Sequence, residues 1–384
     1  MDETANSGEN SKNSVDEKPL IVKVAFNDDG ADTLNYEGED IEFGSMRDNV
    51  KVIKESLGSS HVIVKEVPLR ADNLMEFISE LKKEDNSIVF NLCEAAFDYS
   101  AMEMNVAALY ELLDVWFTGS GPMALGIALN KGLTKDILSK RGVPTAPYFV
   151  ASRESDCDGH GLEYPLIVKP VKEDASLGIE AKAVVSNLED LKARVKYVVA
   201  TFDQGALVEG FVDGREFNQA VLGTGKSKFA LPPSEIDFST FPEGQPKIIS
   251  YEAKWITESP LYTNSMPICP APVTDEEKER LKEVAFKAYD AIGCRDYGRV
   301  DMRMDKDGNI FVLEVNPNPD ISTDAGLPRA AKAYGMEYKD LINRIVDLCL
   351  ERYEEQEEKY ARMEEAEALE EAKANDKKED AING

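Results

Sequence analysis

Short apolar runs alternate with helically spaced segments from residue 20 onward. Residues 20–26, 61–67 and 87–92 have the length and apolar density of buried strands, while 46–57 and 72–83 carry apolar positions three and four apart. A helix is predicted over 101–113. Another is predicted over 123–140, stopped by Gly142 with Pro144 beyond it. Strands are then predicted at 166–169, 181–185, 205–209 and 216–222, with a helix at 187–201. A helix over 275–292, a hairpin over 298–316 and a closing helix from 338 complete the pattern. Residues 1–18 are polar and read as a disordered tail. After Leu350 acids outnumber bases thirteen to six, which reads as a solvated helix with a frayed end. The chain therefore divides into a tail (1–18), an α/β domain (19–130), a central unit (131–217), a C-terminal unit (218–350) and an acidic tail (351–384).

The hairpin is the most informative segment. Its first arm alternates through Arg299, Asp301 and Arg303, and its second ends Glu314-Val315-Asn316. If Asp305 faces Ile310 across the Lys306–Asn309 turn, then Asp301 faces Glu314 and Arg299 faces Asn316. Residues two apart share a face, so Asp301, Glu314 and Asn316 converge. Hard oxygen donors without His or Cys point to Mg²⁺, its shell completed by phosphate and water. Facing carboxylates repel, so removing Glu314 is expected to cost activity and leave stability near or above that of the parent chain.

Composition narrows the chemistry. The formal net charge is −29, which disfavours nucleic acid and anionic membrane as partners and requires local lysines and arginines at any nucleotide site. Five scattered cysteines form no C-x-x-C pair and read as reduced thiols of a cytoplasmic protein. No apolar run has transmembrane length. The two histidines, His61 and His160, lack motif partners, so Mg²⁺, Arg and Lys carry the chemistry.

Two further segments suit a nucleotide. The loop 172–179 joins strands through small residues, and its backbone N–H groups can lie over phosphates while Lys169 reaches them from below. It is no Walker loop, since no Gly-Lys-Ser/Thr opens a helix. Backbone groups at 210–212 can read an adenine edge, and Glu216 can accept from ribose hydroxyls.

The ordered series Lys131, Ile167-Val168-Lys169-Pro170, a small-residue loop, Val208-Glu209-Gly210-Phe211, Tyr251-Glu252-Ala253-Lys254, Gly298-Arg299-Val300-Asp301 and Glu314-Val315-Asn316 resembles the ATP-grasp superfamily. Within it, the chain is similar to the D-alanine–D-alanine ligase group over roughly residues 88–349. The resemblance implies an α/β (α+β) ATP-grasp fold behind a Rossmann-like N-terminal domain. It implies ATP with two Mg²⁺ (or Mn²⁺) at Asp301, Glu314 and Asn316. Lys131 and Lys169 would contact phosphates and adenine-side groups. Glu209, Val212 and Glu216 would hold adenine and ribose. Lys254 would reach the terminal phosphate, Ser176 would act from the phosphate loop, and Arg299 would stabilise an oxyanion. The implied reaction is carboxylate–amine ligation through an acyl phosphate. Its substrates are a small carboxylate and amine, amino acids by class, and the protein is a possible homodimer. D-alanine–D-alanine ligase itself and a non-catalytic ATP-binding regulatory protein are the alternatives. The departures from the group's pattern fall on amino-acid-binding positions: residues 26–32, 91–99, Ala175, Trp255, Asp320 and Ala325. An acidic pocket for the ammonium is expected from Asp28 or Asp29 with Glu94 and Glu103.

Overall fold

A computed structural model describes residues 18–28, 33–36, 39–42, 46–58, 62–97 and 99–383. Residues 1–17 of the expected tail, Asp29 and His61 lie outside them. Leu20–Asn27 is the middle strand of a parallel three-stranded sheet, between Val62–Leu69 and Ser87–Leu92. Val22, Val24, Ala25 and Phe26 are all buried, because helices cover both faces of such a sheet.

The second sheet is antiparallel, in the order Tyr148–Ala151, Ala206–Gly210, Leu166–Pro170, Val184–Val185. The helix Leu188–Phe202 covers it through Leu191, Val195 and Val198. Asn187 starts that helix by accepting from the Asp190 N–H, and Asp203 stops it in the left-handed region. The strand expected over 181–185 is mostly a 3₁₀ turn, Ala181–Ala183, followed by two strand residues.

The third sheet carries the hairpin. Tyr297–Asp305 lies between Gly214–Leu222 and Ile310–Asn316, with Ser234–Ile236 and Pro267–Ile268 extending the far side. The helix Asp275–Ile292 closes its back. Thr274 and Glu277 form a reciprocal cap at its start, and Gly293 at φ 83° ends it. Gly214–Leu222 belongs wholly to this sheet, so the unit junction expected at 217/218 cuts through a strand.

The helix expected over 123–140 is two helices, Pro122–Leu129 and Lys131–Lys140. Asn130 is extended between them, and its side chain accepts from the Leu133 N–H at 3.1 Å. The Lys131 N–H is thereby free to donate to the Val171 carbonyl at 2.9 Å. An Asn that caps the second helix is a better stop than the apolar spacing revealed.

The last helix, Tyr338–Asn383, packs its first turns on the N-terminal unit through Leu341, Ile342 and Ile345. It continues to Asn383. Arg352 on this helix donates to fully buried Asp296 at 2.7 and 2.9 Å, and Asp296 also accepts from the Gly119 N–H. This pairing ties the end of the N-terminal unit to the sheet that holds the site. Among the described residues no helix is long and apolar enough to cross a membrane.

Candidate active site

The third sheet has one apolar and one polar face. Phe217, Val221, Val300, Met302, Val312 and Val315 pack against the covering helix. The alternate positions face the cleft and pair directly across the ladder: Glu216 with Arg303, Asn218 with Asp301, Ala220 with Arg299. Four residues separate Arg303 from Arg299, about 13 Å of strand. The polar groups thus form a line along one sheet face.

Asp301 faces Glu314, and Arg299 faces Asn316, as expected. The ladder departs from a simple count back from the turn in two places, and the two departures cancel. Met304, not Asp305, faces Ile310, because Asp305 joins the turn and accepts from the N–H groups of Asp307 and Asn309. A bulge between Asp301 and Met302 then restores the register. Without the bulge Glu314 would sit opposite Val300, on the apolar face.

Asp301 accepts from Asn218 at 2.7 Å, from both donors of Arg299 at 2.8 Å and from the Asn316 amide at 3.1 Å. Glu314 lies 3.6 Å from Lys131. Burial would raise its pKa, but Lys131, Lys169, Arg299 and Lys254 outweigh burial and hold it at about 2. Among the described residues no three His, Cys, Asp or Glu gather as a metal cluster. Two carboxylates and an amide suit Mg²⁺ that keeps places for phosphate and water, with half a turn of the Asn316 amide presenting its oxygen.

Glu209 is 1% exposed, and its oxygens lie 2.5 Å from Lys135 and 2.6 Å from Lys169. Burial would raise its pKa, yet the two lysines bring it down to about 2. Its direct partners in this structure are the two lysines. Lys135 also donates to Thr145 at 2.5 Å, and burial lowers its pKa. Lys131 donates to the Glu173 carbonyl at 2.6 Å, at the mouth of the phosphate loop. The Gly210 and Phe211 N–H groups are taken by the Pro147 and Pro165 carbonyls. Of that expected adenine-reading trio, the Val212 N–H alone makes no protein hydrogen bond among the described residues.

The loop 172–179 is fastened to the one-turn helix Tyr251–Trp255 and the chain before it. Ser176 donates to the Ile249 carbonyl at 2.9 Å, so its hydroxyl holds the loop. The Tyr251 N–H donates to Ile179, and the Trp255 indole N–H donates to the Ala175 carbonyl at 2.9 Å. Ala175 and Ser176 both have positive φ (55° and 63°), an arrangement that such bonds stabilise. Lys254 projects into the cleft beside Arg299, and enclosure plus that like charge lower its pKa. Trp255→Phe keeps the ring and loses the donor. Hydrogen exchange of residues 172–179 without nucleotide should then quicken about fivefold, the worth of one hydrogen bond near 1 kcal/mol. Unchanged protection would show that the indole is not the latch.

The expected acidic pocket is half present. Asp28 is engaged through Oδ2 by Arg47 at 2.6 Å and Arg70 at 3.3 Å. Glu94 and Glu103 do meet in the cleft. Glu94 is exposed at its surface, yet the protein around its carboxyl, then Asp320, raises its pKa to about 7. Enclosure raises that of Glu103 to about 8, against the bond it accepts from Asn318 at 2.7 Å.

Residues 137–347, more than half of the chain, match the family described as D-ala D-ala ligase C-terminus. The chain belongs to that family. An uncharacterized protein of Sinorhizobium fredii is 34% identical over 70% of this chain and 76% of its own length. A D-alanine–D-alanine ligase of Bordetella petrii is 36% identical over 62% of this chain and 68% of its own. A D-alanine–D-alanine ligase of Bacillus anthracis, solved complexed with ATP, superposes with a TM-score of 0.65 at 20% identity, over 88% of this chain and 99% of that one. That likeness shows the fold: ATP-grasp, preceded by an N-terminal domain. The chain is an ATP-dependent carboxylate–amine ligase of the D-alanine–D-alanine ligase-like group.

Sequence reading of this ligase missed Lys135 and Asn218 as site residues, and offered Arg303 only as a donor to a substrate carboxylate. Lys135 stands one helical turn after Lys131, and that spacing was a usable signal. Asn218 and Arg303 gain their meaning only from the pairing of Gly214–Leu222 with Tyr297–Asp305, which no local pattern announces.

Proposed function

We propose that the ligase joins a small carboxylate substrate to a small amine through an acyl phosphate. In this reading ATP lies along the polar sheet face, with ribose toward Glu216 and the terminal phosphate toward Glu314. The observation that supports it is the order of groups on that face: acceptor, oxygen donors, then Arg299. Val212 offers its N–H to the adenine edge. Lys131 and Lys169 meet the phosphates, and Glu209 fixes Lys169 and Lys135. The 172–179 loop, held by Ser176, shields the phosphates from water. Mg²⁺ at Asp301, Glu314 and Asn316, two ions in this family reading, would neutralise charge on the transferring phosphoryl group.

A carboxylate oxygen attacks the γ-phosphorus, and the bond from that phosphorus to the ADP oxygen breaks. Lys254 faces the transferring group. The amine nitrogen then attacks the acyl carbon, and Arg299 stabilises the oxyanion that forms. The carbon–oxygen bond to phosphate breaks, inorganic phosphate leaves, and the nitrogen's surplus proton passes to Glu94 or Glu103. Carboxyls titrating at about 7 and 8 can accept it near neutral pH.

D-alanine is not the preferred amine in this reading. Asp320 adds negative charge where a second substrate's carboxylate would lie. Ala325 leaves the helix Gly326–Tyr334 without a side-chain cap. The test is a screen of amino acids and small amines for ATP-dependent phosphate release, with product masses. Productive amines should show KM rising as pH falls below about 8, because protonated Glu94 and Glu103 hold an ammonium poorly. Glu103→Gln should raise KM for the amine and not for ATP. Robust formation of D-alanyl-D-alanine, with turnover at about 1–10³ per second, would overturn the altered-substrate reading and restore D-alanine ligation.

A further inference from the structure

Arg303 is a buried charge that the phosphoryl and amide chemistry does not use. It is 3% exposed and stands directly across the ladder from Glu216. A guanidinium so enclosed persists only when its donors are met. Here Nε and one Nη donate to the same Glu216 oxygen, Oε2, at 3.0 and 2.6 Å. The other Nη donates to the Val212 carbonyl at 2.8 Å, and the Lys247 carbonyl is a further acceptor. The ring centroids of Phe211 and Phe238 lie 5.3 and 5.9 Å from the guanidinium carbon. Its partners thus come from the 211–216 and 238–247 segments at once. Among the described residues every hydrogen bond to the Glu216 carboxylate goes to Oε2, which leaves Oε1 for a ligand.

We propose that Arg303 is a positioning residue that sets recognition of the nucleotide sugar. By fixing Oε2 it aims Oε1 of Glu216 at the ribose hydroxyls. By holding the Val212 carbonyl it also sets the peptide whose neighbouring N–H faces the base. The proposal rests on reading Glu216 as the ribose acceptor. Lysine cannot replace Arg303, because one ammonium cannot span the Glu216 carboxylate and the Val212 carbonyl with a planar fork.

The test uses the full chain with Mg²⁺ and three probes, ADP, 2′-deoxy-ADP and 3′-deoxy-ADP, whose binding is measured by calorimetry. None of the three can phosphorylate a substrate. The parent protein should prefer ADP over at least one deoxy analogue by roughly tenfold or more, the worth of one charge-assisted hydrogen bond. Glu216→Gln should reduce that preference to below about threefold. Arg303→Lys and Arg303→Met should do the same, and Arg303→Lys, which keeps the charge, carries the test if Arg303→Met does not fold. Equal preference in the parent chain and Glu216→Gln, or no preference in the parent chain, overturns the ribose reading and this proposal with it. A preference lost in Glu216→Gln but kept in both Arg303 variants overturns the role of Arg303 alone. So does a uniform loss of affinity for all three probes, which is what a merely structural arginine would produce.

Discussion

Glu314→Ala should reduce ATP-dependent phosphate release to background, a loss of about 10³-fold or more if it removes a metal-holding contact in the transition state. The same change should lower stability, against the sequence-level expectation that a repulsion would be relieved. Asp301 does face Glu314, but Lys131, Lys169, Arg299 and Lys254 surround the carboxylate and hold its pKa at about 2, below the ordinary 4.5. A depressed carboxylate stabilises the fold above its unfolded pKa. That contribution is lost as pH falls from about 4.5 toward 2. The Glu314 side chain is 32% exposed, so solvent screening leaves about 1–2 kcal/mol of it at pH 7. The melting temperature of Glu314→Ala should therefore fall below that of the parent chain at pH 7, and the gap should close near pH 2. A variant that stays active, or that melts higher at pH 7, would remove Glu314 from the metal site or from the cationic cluster respectively.

The largest stability effect should come from Glu209→Gln. Its carboxylate is the shared counter-ion of two buried lysines, and no solvent reaches it. Removing one partner from a buried charge network costs about 3–5 kcal/mol, because the charges left behind are unpaired. For this chain that is a fall in melting temperature of about 4–6 °C. Adding Lys135→Met to Glu209→Gln should recover part of the loss, since one stranded ammonium is then gone. ADP binding should weaken as well, because Lys169 loses the group that orients it. A melting temperature within a degree of the parent would show that the lysines are solvated and that the cluster does not hold this end of the cleft.

The sequence by itself determined the character of the site. Alternation puts Arg299, Asp301 and Arg303 on one side of the first arm of the hairpin and Glu314 with Asn316 on one side of the second, because side chains along a strand repeat with period two. Apolar density in 20–26 and 87–92 determined a parallel sheet buried on both faces. Two histidines without motif partners argued against chemistry built on a histidine base. Tertiary structure decided the rest. The Leu313 bulge, invisible in composition, brings Glu314 to the face of Asp301. Glu209 reads as a strand-end acid in sequence, and only the approach of the Lys131–Lys140 helix makes it a buried counter-ion. Trp255 looks like a substitution in a substrate pocket until its indole is seen to hold the Ala175 carbonyl. Arg303 alternates with Arg299 like any polar strand residue, and its meaning comes from Glu216, far earlier in the chain and directly opposite in the sheet. Local periodicity fixes which way a side chain points along its own strand. What it points at depends on segments far away in sequence, brought beside it by packing that no single segment encodes.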